Sequence, residues 1–377
     1  MPANNTPFLT IFLLFLGLLR FDSFPCLEAA TGKLASVPGV YVFGDSLVDA
    51  GNNNYLPISI SKANYLPNGI DFPGKKASGR FCNGKNAADA IAEKFGLPLP
   101  PPYLSLKNPF KKKEKKSAAV TGVNFASGGA GIFNSSDQKF GQGIPLSYQV
   151  NDWLSIRQEL MNQLPLSEAQ THLSKSIFTV VIGSNDLFDY FGSMKLRQNT
   201  NPEQYALSMV LKLKEQLKRI YDSGARRFLV IGVAQIGCIP GKRAKDTTIH
   251  ECDQEANTWC SFYNEALVKM LQQLKQELQS SMTYSYFDNY KSLQDIISDP
   301  ARYGFTDVTS ACCGKGKLNA ATPCILGASL CSDRTKYLFW DRYGHPTEAA
   351  ARTFVDLMLA DDSQYSSPLT LTQLVSS

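Results

Sequence analysis

Histidine is scarce in this chain, with three in 377 residues, and no CxxC pair occurs among its nine cysteines. A zinc centre built from nitrogen and sulfur ligands is therefore not expected. Charge is sparse as well. Only 19% of residues are Asp, Glu, Lys or Arg, which argues against disorder or a highly charged surface protein. The formal net charge is +5 with no sustained arginine-rich segment, so nucleic acid is not an expected partner. Beyond the N-terminus no run is apolar enough to span a bilayer, and no internal repeat is visible. What is present is 44% hydrophobic residues, ample for a core, at a length that suits one large domain or two ordinary ones.

The N-terminus reads as a targeting segment. Phe8 to Leu19 is an apolar run broken only by Thr10 and Gly17, followed by Ala29 and Ala30. A run this short suits a signal-peptide core better than a membrane span of about 20 residues. No Lys or Arg precedes it, and an uncleaved anchor is the competing reading. The expected organisation is a signal peptide over 1–29, cleaved near Ala29, and a single domain over 30–377 with a short C-terminal tail. Cleavage removes Arg20, Asp22 and Glu28, taking the charge from +5 to about +6. It also removes Cys26 and leaves Cys82, Cys238, Cys252, Cys260, Cys312, Cys313, Cys324 and Cys331. An even number is what disulfides in an oxidising compartment require, with the pairing left open. Asn134-Ser135-Ser136 is the one N-glycosylation sequon outside the leader, and it marks a surface loop. These features point to a secreted protein.

Four segments read as buried strands feeding loops or helices: one ending at Val42-Phe43, then Ile177–Ile182, Arg227–Gly232 and Tyr284–Phe287. A helix lies between the second and third, capped by Asn201, with Pro202 in its first turn and Gln204 at the capping-box position. Tyr205, Met209, Leu213, Leu217 and Ile220 form its apolar stripe, and Gly224 stops it. A second long helix is expected from Gln254 to about Leu278. Strands alternating with helices argue for a parallel sheet covered on both faces, with ligands outside the carboxyl ends of the strands. Lys107 to Lys116, with six lysines and one glutamate, reads as a solvated loop; the sharper alternative is attachment to an anionic surface. Asp361 to Ser377 reads as a tail packed on the surface.

The strand ending in Phe43 runs into Gly44-Asp45-Ser46-Leu47. This places Ser46 at a strand's carboxyl end, where backbone N–H groups, and a helix dipole if a helix follows, stabilise an oxyanion. An ordinary turn is the alternative. A serine nucleophile needs a base, and histidine suits the task. His172 lies in a polar stretch with surface or capping duty, and His250 in a charged loop bounded by cysteine. His345 follows Asp341 and precedes an expected helix, and a carboxylate against an imidazole fixes its tautomer. His345 is the credible base. The glycine-rich turn Gly128-Gly129 lets a backbone approach a substrate closely, and Asn185 ends a strand with an amide that can donate to an oxyanion.

Six ordered blocks carry these residues: GDSLVDAGNNN, SGRFCNGKNAADAIAEKFGLP, VNFASGGAGI, VVIGSNDLFDY, ACCGKG and FWDRYGHPTEAA. Together, and down to the LTLTQLV ending, they resemble the plant GDSL esterase/lipase family within the SGNH hydrolases. The resemblance implies a three-layer α/β/α sandwich with a flavodoxin-like parallel sheet. It also implies Ser46 as nucleophile, His345 as base and Asp341 as the acid that orients it. The oxyanion hole would use the Ser46 N–H, a glycine N–H from the turn and the Asn185 side chain; counting five residues from Asn124 favours Gly129. The family usually has two residues between this aspartate and histidine, whereas Arg342, Tyr343 and Gly344 make three here. Gly344 at positive φ absorbs the extra residue, and Asp333 is the alternative acid. The implied activity is hydrolysis of an acyl ester, small or polymeric, in the apoplast or cell wall, with no cofactor. Acyl transfer to another alcohol and a non-catalytic binding role are the rivals.

Overall fold

The computed structural model describes residues 36–136, 141–245, 251–279 and 281–377. The leader and its cleavage site, Cys26 and His250 lie outside the described residues. Four parallel strands make the central sheet: β1 (Val40–Gly44), β2 (Ile177–Val181), β3 (Arg227–Ile231) and β4 (Thr283–Phe287). Their side chains alternate between two buried faces, as strands covered on both sides must. Tyr41, Phe43, Phe178, Val180, Phe228, Val230, Tyr284 and Tyr286 enter one core. Val40, Val42, Ile177, Val181, Leu229, Ile231 and Phe287 enter the other.

Helices α1 (Ala87–Lys94), α2 (Lys112–Thr121), α3 (Leu146–Met161) and α4 (Leu166–Lys175) lie between β1 and β2. Helices α5 (Ser184–Gly192), α6 (Met194–Asn199) and α7 (Pro202–Asp222) precede β3, and α8 (Pro240–Arg243) and α9 (Gln254–Glu277) precede β4. After α10 (Asn289–Ser298) comes a lobe of short strands, β5 (Asp307–Ala311), β6 (Cys313–Gly314), β7 (Ser329–Leu330) and β8 (Tyr337–Phe339). The chain closes with α11 (Glu348–Leu359), β9 (Ser366–Pro368) and α12 (Leu371–Ser376). Helices α2, α3, α4, α7 and α9 supply the first core and α1, α10, α11 and α12 the second, giving the three-layer α/β/α sandwich expected.

The segment after α2 extends the sheet past β1. Val42 N–H donates to Val123 O at 3.0 Å, Phe125 N–H to Val42 O at 2.8 Å and Ser127 N–H to Gly44 O at 3.1 Å. With that segment counted as the second strand in sequence, the parallel order is 2-1-3-4-5, the flavodoxin order. The order reverses between β1 and β2, and the loops leaving these strands open a crevice there.

Several expectations need correction. The lysine-rich segment is not a loop: two 3₁₀ turns lead into α2, and none of its residues lines the cavity described below. The C-terminal segment is not a surface tail. β9 pairs antiparallel with β4, and α12 buries Leu371, Leu374 and Val375. Asn201 caps α7 by accepting from Gln204 N–H at 2.8 Å, as expected. His172 is half-buried in α4, 3.4 Å from the Tyr41 hydroxyl, rather than on the surface. Three disulfides form, Cys238–Cys252, Cys312–Cys331 and Cys313–Cys324, while Cys82 and Cys260 are buried and unpaired, so the eight cysteines do not all pair. Among the described residues no helix is long and apolar enough to cross a membrane.

Leu371 is fully buried in the second core, so Leu371→Ala is expected to cost about 2–5 kcal/mol in urea denaturation. A loss below about 1 kcal/mol would mean that the C-terminus packs as a dispensable tail.

Candidate active site

Past Gly44 the chain makes a single turn in which Val48 and Asp49 N–H groups donate to Asp45 O, at 3.3 and 3.1 Å. No helix follows. The expected helix dipole is therefore absent at Ser46, and what remains is its own N–H. Among the described residues that N–H has no protein acceptor. Buried Gln149 of α3 anchors the strand end, accepting from Gly44 N–H at 2.9 Å and donating to Gly44 O at 2.8 Å.

His345 reaches Ser46 from a point 299 residues along the chain, its Nε2 lying 2.8 Å from Ser46 Oγ. Its Nδ1 lies 2.7 Å from Asp341 Oδ2, with both side chains 7% exposed. Asp341 Oδ1 accepts from Tyr343 N–H at 2.9 Å and from His345 N–H at 3.4 Å. The extra residue in this turn is absorbed at Gly344, whose φ is +82°, a region only glycine enters freely. Asp333, the alternative acid, sits in an exposed turn, accepting from Thr335 N–H at 2.9 Å. The structure brings Asp341 to His345 and leaves Asp333 elsewhere.

The two glycines separate by their hydrogen bonds. Gly128 N–H donates to Asp49 Oδ2 at 3.1 Å. Gly129, at φ +79°, has no protein acceptor among the described residues and lines the cavity beside Ser46. Asn185, in the first turn of α5, donates one amide N–H to Ala130 O at 2.9 Å. This orients the side chain and leaves its second N–H for a ligand. Ser46, Gly129 and Asn185 thus line one cavity.

Residues not singled out from sequence hold these donors in place. Asp49 Oδ1 accepts from Gly51 and Asn52 N–H groups at 2.7 and 2.8 Å. Asn52 Nδ2 donates to Asn124 O and Ala126 O, and Asn53 Nδ2 to Gly128 O, all within 2.9 Å. Asp186 accepts from Ile132 and Phe133 N–H groups at 2.9 and 3.0 Å and from the Ser136 hydroxyl at 2.6 Å. Buried Arg80 forms a bidentate pair with Asp89 at 2.6 and 2.7 Å, next to Phe81, whose ring lies 5.0 Å from His345. Most of these residues fall inside the motif blocks, which was the available signal; Gln149 lies outside them. The sequon Asn134 sits at an exposed turn, its Oδ1 accepting from the Ser147 hydroxyl at 2.7 Å.

The cavity over Ser46 measures about 520 Å³, and the buried side chains of Val181, Ile231, Leu293, Phe354 and Met358 are among those that line it. A hydroxyl, an imidazole and a carboxylate in hydrogen-bonded series beside free donors can transfer an acyl group through serine. A parallel α/β/α sandwich carrying that series at its switch point is the layout of a serine hydrolase. Sequence comparison agrees: the chain belongs to the family described as GDSL-like Lipase/Acylhydrolase, whose model matches residues 40–358. It is 81% identical to GDSL esterase/lipase At5g55050 of Arabidopsis thaliana, with 100% of both chains covered. It is 39% identical to GDSL esterase/lipase At4g16230 of the same plant, over 90% of this chain and 91% of that one.

Burial pushes the carboxyl groups of Asp49 and Asp186 up to about 6, against the N–H groups they accept. A carboxyl with a raised folded pKa favours the fold while protonated, and that contribution is lost as pH rises through the folded value. The stability of wild type relative to Asp186→Asn is therefore expected to fall between about pH 4 and pH 7. Urea denaturation of both proteins across that range checks it, and a relative stability that climbs with pH would contradict the assignment.

Proposed function

We propose that this protein is a secreted carboxylic-ester hydrolase that works through an acyl-serine on Ser46. The observation that carries the reading is the unbroken series from Ser46 Oγ to His345 Nε2 at 2.8 Å and from His345 Nδ1 to Asp341 Oδ2 at 2.7 Å. His345 takes the Ser46 proton as Oγ attacks the ester carbonyl, and Asp341 stabilises the imidazolium so formed. The developing oxyanion is met by the N–H groups of Ser46 and Gly129 and the second N–H of Asn185, each fixed before substrate arrives. His345 then protonates the leaving alcohol, activates water against the acyl-enzyme, and returns the serine.

The cavity supports an apolar acyl group as the part of the substrate that is buried, since buried Leu293, Phe354 and Met358 line it. Three disulfides support folding in an oxidising compartment, consistent with a cleaved leader, a single mature domain, residence in the apoplast or cell wall, and glycosylation at exposed Asn134. The names of the relatives, esterase/lipase, support the same reaction type.

Hydrolysis of p-nitrophenyl esters from acetate to palmitate is the test. Wild type is expected to turn over the longer esters with higher kcat/KM than acetate, and Ser46→Ala and His345→Ala to lose turnover. Asp341→Asn is expected to lower kcat by roughly 10⁴-fold, because it leaves the wrong tautomer on the base. Folded wild type without activity at any chain length would overturn the hydrolase reading, and Asp341→Asn near wild-type rate would overturn the choice of acid.

A further inference from the structure

The cavity around Ser46 has mostly apolar walls, yet Lys242 is one of its lining residues. Its side chain is only 10% exposed, and Nζ lies over the Phe191 ring, 2.9 Å from the centroid. The carboxylate paired with it, Asp253, keeps Oδ2 at 3.6 Å, longer than an ordinary N–H···O bond. The other Asp253 oxygen accepts from Ala256 N–H to cap α9. Exposed Lys245 and half-buried Lys62 line the same cavity. The carboxylates that line it are Asp45 and Asp341, both buried within the turns that carry the serine and the histidine. Three lysines thus line the cavity against two carboxylates. Burial pushes the Lys242 ammonium down to about 8, with Asp253 opposing, so it is largely charged at neutral pH.

Lys242 is also fixed relative to the reacting groups. It sits in α8, next to Gly241, whose N–H donates at 2.9 Å to Arg342 O in the turn between Asp341 and His345. The Cys238–Cys252 disulfide closes the loop that bears it. A largely buried ammonium whose ion pair to Asp253 spans 3.6 Å gains more from a closer, hydrogen-bonded anion than a solvated one does.

We propose that Lys242 is a specificity-determining residue that binds an anionic group, carboxylate or phosphate, carried by the ester substrate. The preferred substrates are then anionic amphiphiles, with an apolar chain in the inner cavity and the charge at Lys242. This rests on the ester-hydrolase reading of the same cavity. The charge can sit on the acyl side, as in a dicarboxylic half-ester, or on the alcohol side, and two arms of the test distinguish these.

Binding is measured first, by calorimetry on Ser46→Ala protein with octyl phosphate and with octanol, which needs no turnover. Adding Lys242→Met is expected to weaken octyl phosphate by about 10- to 100-fold and octanol by less than about twofold, while Lys242→Arg keeps octyl phosphate within about threefold. Equal weakening of both ligands, or of neither, overturns the proposal. Should Lys242→Met fail to fold, equal affinity of the Ser46→Ala protein for octyl phosphate and octanol overturns it as well. Hydrolysis by protein with Ser46 intact then compares 4-nitrophenyl octanoate with the mono-4-nitrophenyl ester of suberic acid, and phenyl octanoate with octanoyl 4-hydroxybenzoate. A preference for the charged member of one pair that Lys242→Met removes assigns the anion to that side; no such preference in either pair overturns the substrate assignment. Anion-selective binding with no hydrolysis of any ester would sink the hydrolase reading and leave the anion site standing.

Discussion

Side-chain hydrogen bonds take over from backbone pairing where the strand beside β1 runs into the site. The segment 123–127 pairs with β1 through three backbone hydrogen bonds, too few to fix the loop that follows. The missing constraint comes from Asp49, Asn52 and Asn53, which bind Gly128 N–H, Asn124 O, Ala126 O and Gly128 O. Backbone groups that a regular ladder would satisfy are satisfied by amides and a carboxylate instead. The gain is geometric. A loop held by several short side chains can turn sharply at Gly129 and present a bare N–H, which a continuing strand could not do.

The Asp341–His345 turn is braced by different means. Trp340 N–H donates to His345 O at 2.7 Å, and its indole N–H to Asn68 Oδ1 at 2.9 Å. Cys312 and Cys313 N–H groups donate to Phe339 O and Trp340 O, and both cysteines are locked in disulfides. Gly241 N–H holds Arg342 O from the third disulfide loop. His345 and Asp341 thus stand on a turn braced by covalently closed loops rather than on a long helix or the central sheet. This arrangement holds the imidazole in one orientation, as the proposed proton transfers require.

The sheet and its two long helices were legible because each rests on local pattern: short buried runs, the stripe from Tyr205 to Ile220, the cap at Asn201. That Ser46, His345 and Asp341 would meet was legible because three histidines left little choice of partner for the serine and the motif blocks resemble those of a known family. The rest depended on contacts between distant segments. Nothing local marks Gln149 as the anchor of Gly44, or reveals that the polar C-terminus completes the sheet edge. The lysine-rich segment reads as a loop because its charge masks a helical stretch, Ser117 to Thr121, that buries Ala118 and Ala119. Cys82 and Cys260 escaped pairing because evenness of count is not proximity.

Ser46 and His345 stand 299 residues apart in sequence and 2.8 Å apart in space. Contacts of such separation close late, since the entropy of the intervening loop must be overcome before they stabilise anything. A growing chain therefore carries Ser46 long before it carries His345. The hydrogen bond between them is thus withheld until nearly the whole polypeptide has been synthesised and folded.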